Sequence, residues 1–240
     1  MVDLERGVFQ RLPTLSETSQ VFPTWSPDGS RIAYRTTTSS DGRHEIRIAS
    51  TDGSSDESLL HWEAGEIEHL DWSPDGGKLL FAATDPQSEG SLQLWIVRVD
   101  DGTSEVWLAG RGNVSEPRFS PDGKWVAYRS DETGASEIYV RPFPGLGAAV
   151  RVSMAGGGNP SWRGDGRELS YIDLAGTLRA VDVDASETLQ LSTSHPLFQV
   201  RSPASGDTRY DVTPDGQMFV VRESPAAPLT LVQQWHQLLP

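Results

Sequence analysis

Along this chain, short apolar runs rich in Val, Ile, Leu, Tyr and Trp alternate with clusters of Ser, Pro, Asp and Gly, and the alternation keeps a fixed beat. WSPDGSRIAYR, Trp25 to Arg35, returns as WSPDGGKLLFA from Trp72 and FSPDGKWVAYR from Phe119. It returns again as WRGDGRELSYI from Trp162 and VTPDGQMFVVR from Val212. The turn glycines Gly29, Gly76, Gly123, Gly166 and Gly216 lie 47, 47, 43 and 50 residues apart. A period of that size predicts a propeller or another repeat array. In each copy Pro presets φ for a β-turn, Asp tolerates the next position and Gly supplies the left-handed residue that follows. Such a turn joins two strands as a hairpin. The fourth copy replaces Pro with Gly164 and keeps Asp165-Gly166, so Asp-Gly is the indispensable half.

With the turn as register, the first repeat predicts strands near 21 to 25, 31 to 36, 45 to 50 and 57 to 62. The second predicts them near 67 to 72, 78 to 83, 92 to 99 and 104 to 108, and the third near 114 to 119, 124 to 129, 136 to 141 and 149 to 153. Four short strands are the content of one propeller blade. The fourth repeat predicts strands near 167 to 172 and 177 to 183, then a long connection before Leu197 to Val200. The fifth has three, at Tyr210 to Val212, Met218 to Arg222 and Leu229 to Gln233, followed by an apolar helical turn with Trp235, Leu238 and Leu239. The expected architecture is a single all-β propeller domain with blades at about 21–65, 66–112, 113–156, 157–206 and 207–240.

Residues 8 to 12, Val-Phe-Gln-Arg-Leu, read as a lone outer strand within a remnant at 1–20. Pairing with the three-stranded fifth blade would close the ring and leave no open sheet edge. The alternative is that Leu4-Glu5-Arg6-Gly7 is the tail of a preceding blade whose other strands are absent, which leaves apolar blade faces to be buried by homodimerisation.

Composition narrows the partners more than the fold. The formal charge, 20 minus 34, is −14, and no basic run exceeds two residues, which argues against nucleic acid or an anionic membrane surface. With no cysteine, disulfides, thiolate metal sites and a cysteine nucleophile are excluded. The opening MVDLERGVFQR carries charge where a signal peptide needs an apolar run, and no stretch of 18 apolar residues occurs. The expectation is a soluble chain with no membrane insertion, and a signal or anchor in upstream sequence is compatible with it.

The repeated unit, Trp or Phe, then Ser-Pro-Asp-Gly, then an apolar strand with Ala-Tyr or Ala-Phe, resembles the blades of TolB-like propellers. The DLERG opening, PSWRGDGRELSYI, YDVTPDGQMFVV and the PLTLVQQWHQLL ending resemble the C-terminal sensor propellers of bacterial serine/threonine kinases. The resemblance spans nearly the whole chain, and it implies a bacterial, extracytoplasmic binding module.

Signatures of catalysis are absent: there is no G-x-S-x-G elbow, H-E-x-x-H, P-loop or kinase set. His44-Glu45 begins like a zinc helix but lies in a strand. Asp182 and Asp184 have calcium-like spacing without the glycine bend. His61, His195 and His236 read as surface or packed structural residues. Trp25, Trp72 and Trp162 recur at one slot, as packing between adjacent blades requires. The informative positions lie in the first strand of each repeat, innermost in a propeller. Three residues before Trp25, Trp72, Phe119, Trp162 and Val212 stand Phe22, His69, Glu116, Asn159 and Arg209; one before stand Thr24, Asp71, Arg118, Ser161 and Asp211. Equivalent slots of successive blades come together around the channel.

Three readings follow. A hydrated channel would hold structural pairs such as Glu116 with Arg118 or Arg209. A small molecule or protein segment would bind at the axial mouth through His69, Glu116, Arg118, Asn159 and Arg209. Alternatively His69, Glu116, Asn159 and Asp211 would hold a divalent cation, calcium or zinc, with Glu68 or Asp71 taking the proton of its bound water. That last arrangement looks like the axial calcium site of propeller lactonases and organophosphate hydrolases, and implies a hydrolase of esters, lactones or phosphotriesters. Sensor-like binding is the leading expectation and the hydrolase its alternative.

Overall fold

The computed structural model describes residues 2–3, 8–9, 20–37, 43–63, 65–84, 90–145, 147–185, 188–200, 209–222 and 230–233. Among these the secondary structure is all β, and no helix is present. The molecule consists of two compact units, Met1–Trp107 and Leu108–Pro240.

In the first unit, β1 (Val2–Asp3) and β2 (Val8–Phe9) form a two-stranded sheet. Next come β3 (Gln20–Trp25), β4 (Arg31–Thr37), β5 (His44–Ser50) and β6 (Asp56–Trp62), hydrogen-bonded in that order. The second four-stranded sheet comprises β7 (Ile67–Trp72), β8 (Lys78–Thr84), β9 (Leu92–Arg98) and β10 (Ser104–Leu108).

The second unit continues with β11 (Val114–Phe119), β12 (Trp125–Ser130), β13 (Glu137–Pro142) and β14 (Val150–Arg151). The fourth large sheet holds β15 (Gly158–Trp162), β16 (Glu168–Ile172), β17 (Thr177–Asp184), β18 (Gln190–Leu191) and β19 (His195–Gln199), with β18 and β19 both paired to β17. The last has three strands, β20 (Arg209–Val212), β21 (Met218–Arg222) and β22 (Thr230–Gln233). These five sheets are propeller blades, each antiparallel and each built on one copy of the repeated turn.

The turn owes its persistence to more than Pro and Gly. Ser26 Oγ donates to Asp28 Oδ1 at 2.6 Å and accepts the Arg31 N–H at 2.9 Å, so one hydroxyl ties both sides of the hairpin. Ser73 with Asp75, Ser120 with Asp122 and Thr213 with Asp215 repeat the arrangement, each hydroxyl donating at 2.6 Å. These donors, with backbone N–H groups, hold the carboxyls of Asp75 and Asp215 below the usual range and that of Asp28 at about 2. In the fourth turn Arg163 replaces the hydroxyl and grips Asp165 through Nε and Nη2 at 2.8 and 3.0 Å. Gly164 replaces Pro there because the fifth turn lies against it. A Cβ at 164 would stand 2.7 Å from Pro214 Cα and O, and the Gly164 N–H donates to the Pro214 carbonyl at 3.1 Å.

The core lies between the faces of successive sheets. In the first unit Ala33, Ile46 and Trp62 pack with Ile67, Leu79 and Phe81. In the second, Ala127, Ile138 and Val140 pack with Trp162, Leu169 and Tyr171, and Leu178 and Leu197 pack with Phe219. Burying a side chain such as Phe81, fully inaccessible here, stabilises by about 1.5–3 kcal/mol. The recurrent tryptophans lock neighbours directly. Trp72 donates its indole N–H to the Thr24 carbonyl, and Trp162 to the Arg118 carbonyl, each at 3.2 Å.

Three expectations are revised or left open. Trp25, expected in the same packing, is 45% exposed, against 5% for Trp72 and 9% for Trp162. Val8–Phe9 pairs with Val2–Asp3, a short loop that costs little entropy to close, and the choice between closing the fifth blade and belonging to a preceding one stays open. Residues 10–12 and the terminal turn with Trp235, Leu238 and Leu239 lie outside the described residues.

Candidate functional site: a row of left-handed bulges

The first strand of four sheets breaks register at one place. Val21 pairs with Arg35 and Thr24 with Ala33, so Phe22 and Pro23 together stand opposite Tyr34. Glu116 and Pro117 stand in the same way opposite Tyr128, and Asn159 and Pro160 opposite Tyr171. In β7 the extra residue is His69 alone, between Glu68 paired with Ala82 and Leu70 paired with Phe81. A bulge bends the strand and re-aims its side chains. Proline is tolerated at a bulge, where the ladder needs no N–H.

At each bulge the residue three before the Trp slot is left-handed. The φ angles are 55° for Phe22, 49° for His69, 54° for Glu116 and 54° for Asn159. These four are the non-glycine residues with positive φ among the described residues. Each such conformation costs on the order of 1–3 kcal/mol and persists where surrounding structure enforces it. The fifth slot departs from the pattern: Arg209 to Val212 pair with Arg222 to Phe219 in unbroken register. Tyr210 follows Arg209 where Phe22, Glu116 and Asn159 are followed by proline.

In the first unit the bulges of adjacent sheets touch. The Phe22 and His69 rings lie 4.9 Å apart at 45°, and the Arg35 guanidinium lies over Phe22 with Cζ 5.6 Å from its centroid. Arg35 Nη1 donates to Glu66 Oε2 at 2.9 Å and approaches His44 Nδ1 at 3.3 Å. His44 Nε2 is 3.2 Å from the same Glu66 oxygen, and Thr37 Oγ1 is 3.1 Å from Nδ1. In the tautomer that carries its proton on Nε2, the one Nδ1 lone pair is shared between the Arg35 and Thr37 donors. Glu68 Oε2 lies 3.6 Å from His69 Nδ1, with the His69 side chain 13% exposed.

In the second unit the same relation is made by a carboxylate. Glu116 Oε1 accepts from Arg129 Nη1 at 2.8 Å, and Oε2 accepts the backbone N–H of Asn159 at 2.5 Å. The bulge residue of the third sheet therefore caps the bulge of the fourth. Half-buried Tyr210 donates to Ser170 Oγ at 3.0 Å, and desolvation raises its phenol well above the usual range.

The remaining expected residues are placed as follows. Arg118 is half-buried on β11 and donates to the Pro117 carbonyl at 3.5 Å; among the described residues the ion pair of Glu116 is with Arg129. Asp71 is half-buried on β7, paired in register with Leu80. Asp211 is exposed on β20 and accepts the Val212 N–H at 2.9 Å. The backbone of Arg209 is described and its side chain is not. No group of three His, Asp or Glu side chains among the described residues converges as a metal-holding set. With both Glu116 oxygens engaged, a cation reading is not favoured at that residue.

The residues that sequence reasoning passed over are Arg35 and Arg129. Both sit on the second strand opposite the bulge, and both bind the bulge residue or its neighbour. Their signal was present in the repeated Ala-Tyr-Arg, which recurs in the fifth copy as Val-Val-Arg ending at Arg222. The first unit's site presents two ring faces, and the second unit's a carboxylate held by Arg129 and the Asn159 N–H.

A family model described as the TolB beta propeller domain matches residues 3–231. The chain is 27% identical over 124 residues to the uncharacterized peptidase YuxL of Bacillus subtilis, a match covering 50% of this chain and 19% of that one. It is 28% identical over 127 residues to a protein TolB homolog of Chlorobium luteolum, covering 53% and 27%. Its structure superposes on that of TolB from Acinetobacter baumannii with a TM-score of 0.71 at 21% identity, covering 91% of this chain and 52% of that one. The chain thus spans about half of that TolB chain, and about a fifth and a quarter of the two sequence relatives.

Proposed function

This chain belongs to the TolB β-propeller family, and from that membership we propose that it is a sensor-like binding module that takes a protein segment at the bulged first strands of its blades. The observation that carries the reading is the recurrence of one strained, non-glycine residue at the same slot of four successive sheets. Four independent left-handed residues are a standing cost to folding. Strain of this kind collects at clamps and binding sites. The charge of −14 favours encounter with basic or neutral segments over acidic ones. No helix among the described residues is long and apolar enough to cross a membrane. An extracytoplasmic setting, implied by the family resemblance, completes the proposal.

Selection of short random peptides against the folded protein tests it. Recovered peptides should bind at micromolar Kd, and His69→Ala or Asn159→Ala should weaken them by about tenfold. Peptides whose affinity survives both substitutions would remove the bulge row as the site.

A further inference from the structure

The turn-bearing end of the second unit carries a cleft of 590 Å³ that is separate from the bulge row. Trp125 and Trp162 line it together with Asp122, Asp165, Arg167 and Asp184. The volume lies in the range of small-ligand sites, which are mainly aromatic with a few placed polar groups.

The repeats supply an internal control. Trp125 stands six residues after Phe119, as Arg31 stands six after Trp25. In the first unit Arg31 covers the next sheet's tryptophan, its Cζ 5.0 Å from the Trp72 ring centroid. In the second unit a flat ring takes the place of that cation, and the next sheet's Trp162 lines an open cleft. Trp125 is half-buried against the core that includes Trp162, so its ring is held as a platform. Packing alone does not require a tryptophan here, since Arg31 closes the equivalent gap.

The carboxylates show which ligand fits. Asp165 is forked by Arg163 at 2.8 and 3.0 Å and accepts the Arg167 N–H at 2.9 Å. That grip holds its carboxyl below the usual range, the Arg163 hydrogen bonds being the main cause. Asp122 accepts from Ser120 Oγ and the Lys124 N–H, and its Oδ2 lies 3.8 Å from Lys124 Nζ. These charges already have cations beside them, so a second cation gains little from them. Their remaining lone pairs still accept from neutral hydroxyls, and Arg167 donates. A ring with one C–H face and a rim of hydroxyls meets both requirements.

We propose that this cleft binds a small neutral saccharide, one sugar ring lying with its C–H face on Trp125 and its hydroxyls hydrogen-bonded by Asp122, Asp165 and Arg167. Calorimetric titration with neutral di- and trisaccharides of glucose, galactose, mannose and N-acetylglucosamine tests this, with choline as the cationic probe. At least one sugar should bind with a millimolar or tighter Kd. Trp125→Arg, which copies the Arg31 arrangement, should weaken it by about tenfold, whereas Trp125→Phe keeps a ring and should stay within about threefold. Exposed Arg167→Gln should weaken binding several-fold without touching the core. The proposal is overturned by absence of heat from every sugar, by binding of choline alone, or by equal sugar affinity in the Trp125→Arg and Arg167→Gln proteins.

Discussion

Glu116 offers the sharpest test of how the bulges are held. Glu116→Ala removes two interactions. The first is the ion pair with Arg129, whose side chain is 41% exposed; screening limits that pair to about 0.5–1 kcal/mol. The second is the acceptor for the Asn159 N–H. Leaving such a buried donor unsatisfied costs about 1–3 kcal/mol. Alanine retains a Cβ, so the left-handed cost at φ 54° is not relieved. The expected loss is therefore about 1.5–4 kcal/mol. Glu116→Gln keeps an acceptor for the N–H and gives up only the charge, for an expected loss of about 0.5–1 kcal/mol. Urea unfolding would measure both, a shift in midpoint at constant slope reporting stability. Amide exchange would show the Asn159 N–H losing protection in the alanine protein first. A Glu116→Ala protein within 0.5 kcal/mol of the parent, or a glutamine as costly as the alanine, would refute the account of Glu116 as the clamp between the two bulges; both thresholds follow from the magnitudes above.

Three further outcomes follow. Asn159→Gly keeps the N–H that Glu116 binds and relieves the left-handed strain, so urea unfolding should show stability unchanged or raised by up to about 1 kcal/mol; a larger loss would contradict the strain. Gly164→Pro restores the common turn sequence yet should destabilise by about 2–4 kcal/mol, because it removes the N–H donated to Pro214 and drives atoms into the fifth turn; a gain in thermal midpoint would show that the turns do not approach as described. The carboxyls of Asp28, Asp75, Asp165 and Asp215 are lower folded than free, so their contribution is fully present above the unfolded value near 4 and is lost as pH falls toward about 2. Thermal midpoints across that window should drop in the parent and drop less in Ser26→Ala, whose Asp28 has lost its main hydrogen bond; parallel profiles would count against the hydroxyl's role.

The architecture was legible because the turn is local chemistry. Asp and Gly, with Ser, Thr213 or Arg163 before them, close each hairpin within six residues, and the intervals between copies set the blades. The slot three before each tryptophan was legible by alignment, and three of its four left-handed residues, His69, Glu116 and Asn159, were picked out for their polarity. What alignment could not supply was the bulge itself. The cue lay in Phe22-Pro23, Glu116-Pro117 and Asn159-Pro160, since proline inside a predicted strand marks a break in the ladder. Partner choice was misread for the same reason. Glu116 was expected to meet Arg118, two residues along its own strand, or Arg209, but the bulge turns its carboxylate to Arg129 and to the next sheet. Trp25 could not be told from Trp72 and Trp162, because exposure depends on what covers a face and not on the repeat. The cleft beside Trp125 was equally hidden, being set by the size and charge of one residue against a neighbour far away in sequence.

The central claim is that the left-handed row recognises a protein segment. The most direct measurement is calorimetric titration of a peptide selected on the parent protein into His69→Ala, with Val106→Ala as a control at an exposed residue away from the row. The account predicts about a tenfold weaker Kd for His69→Ala and an unchanged Kd for the control. Equal affinity in all three proteins, with folding intact, would contradict it.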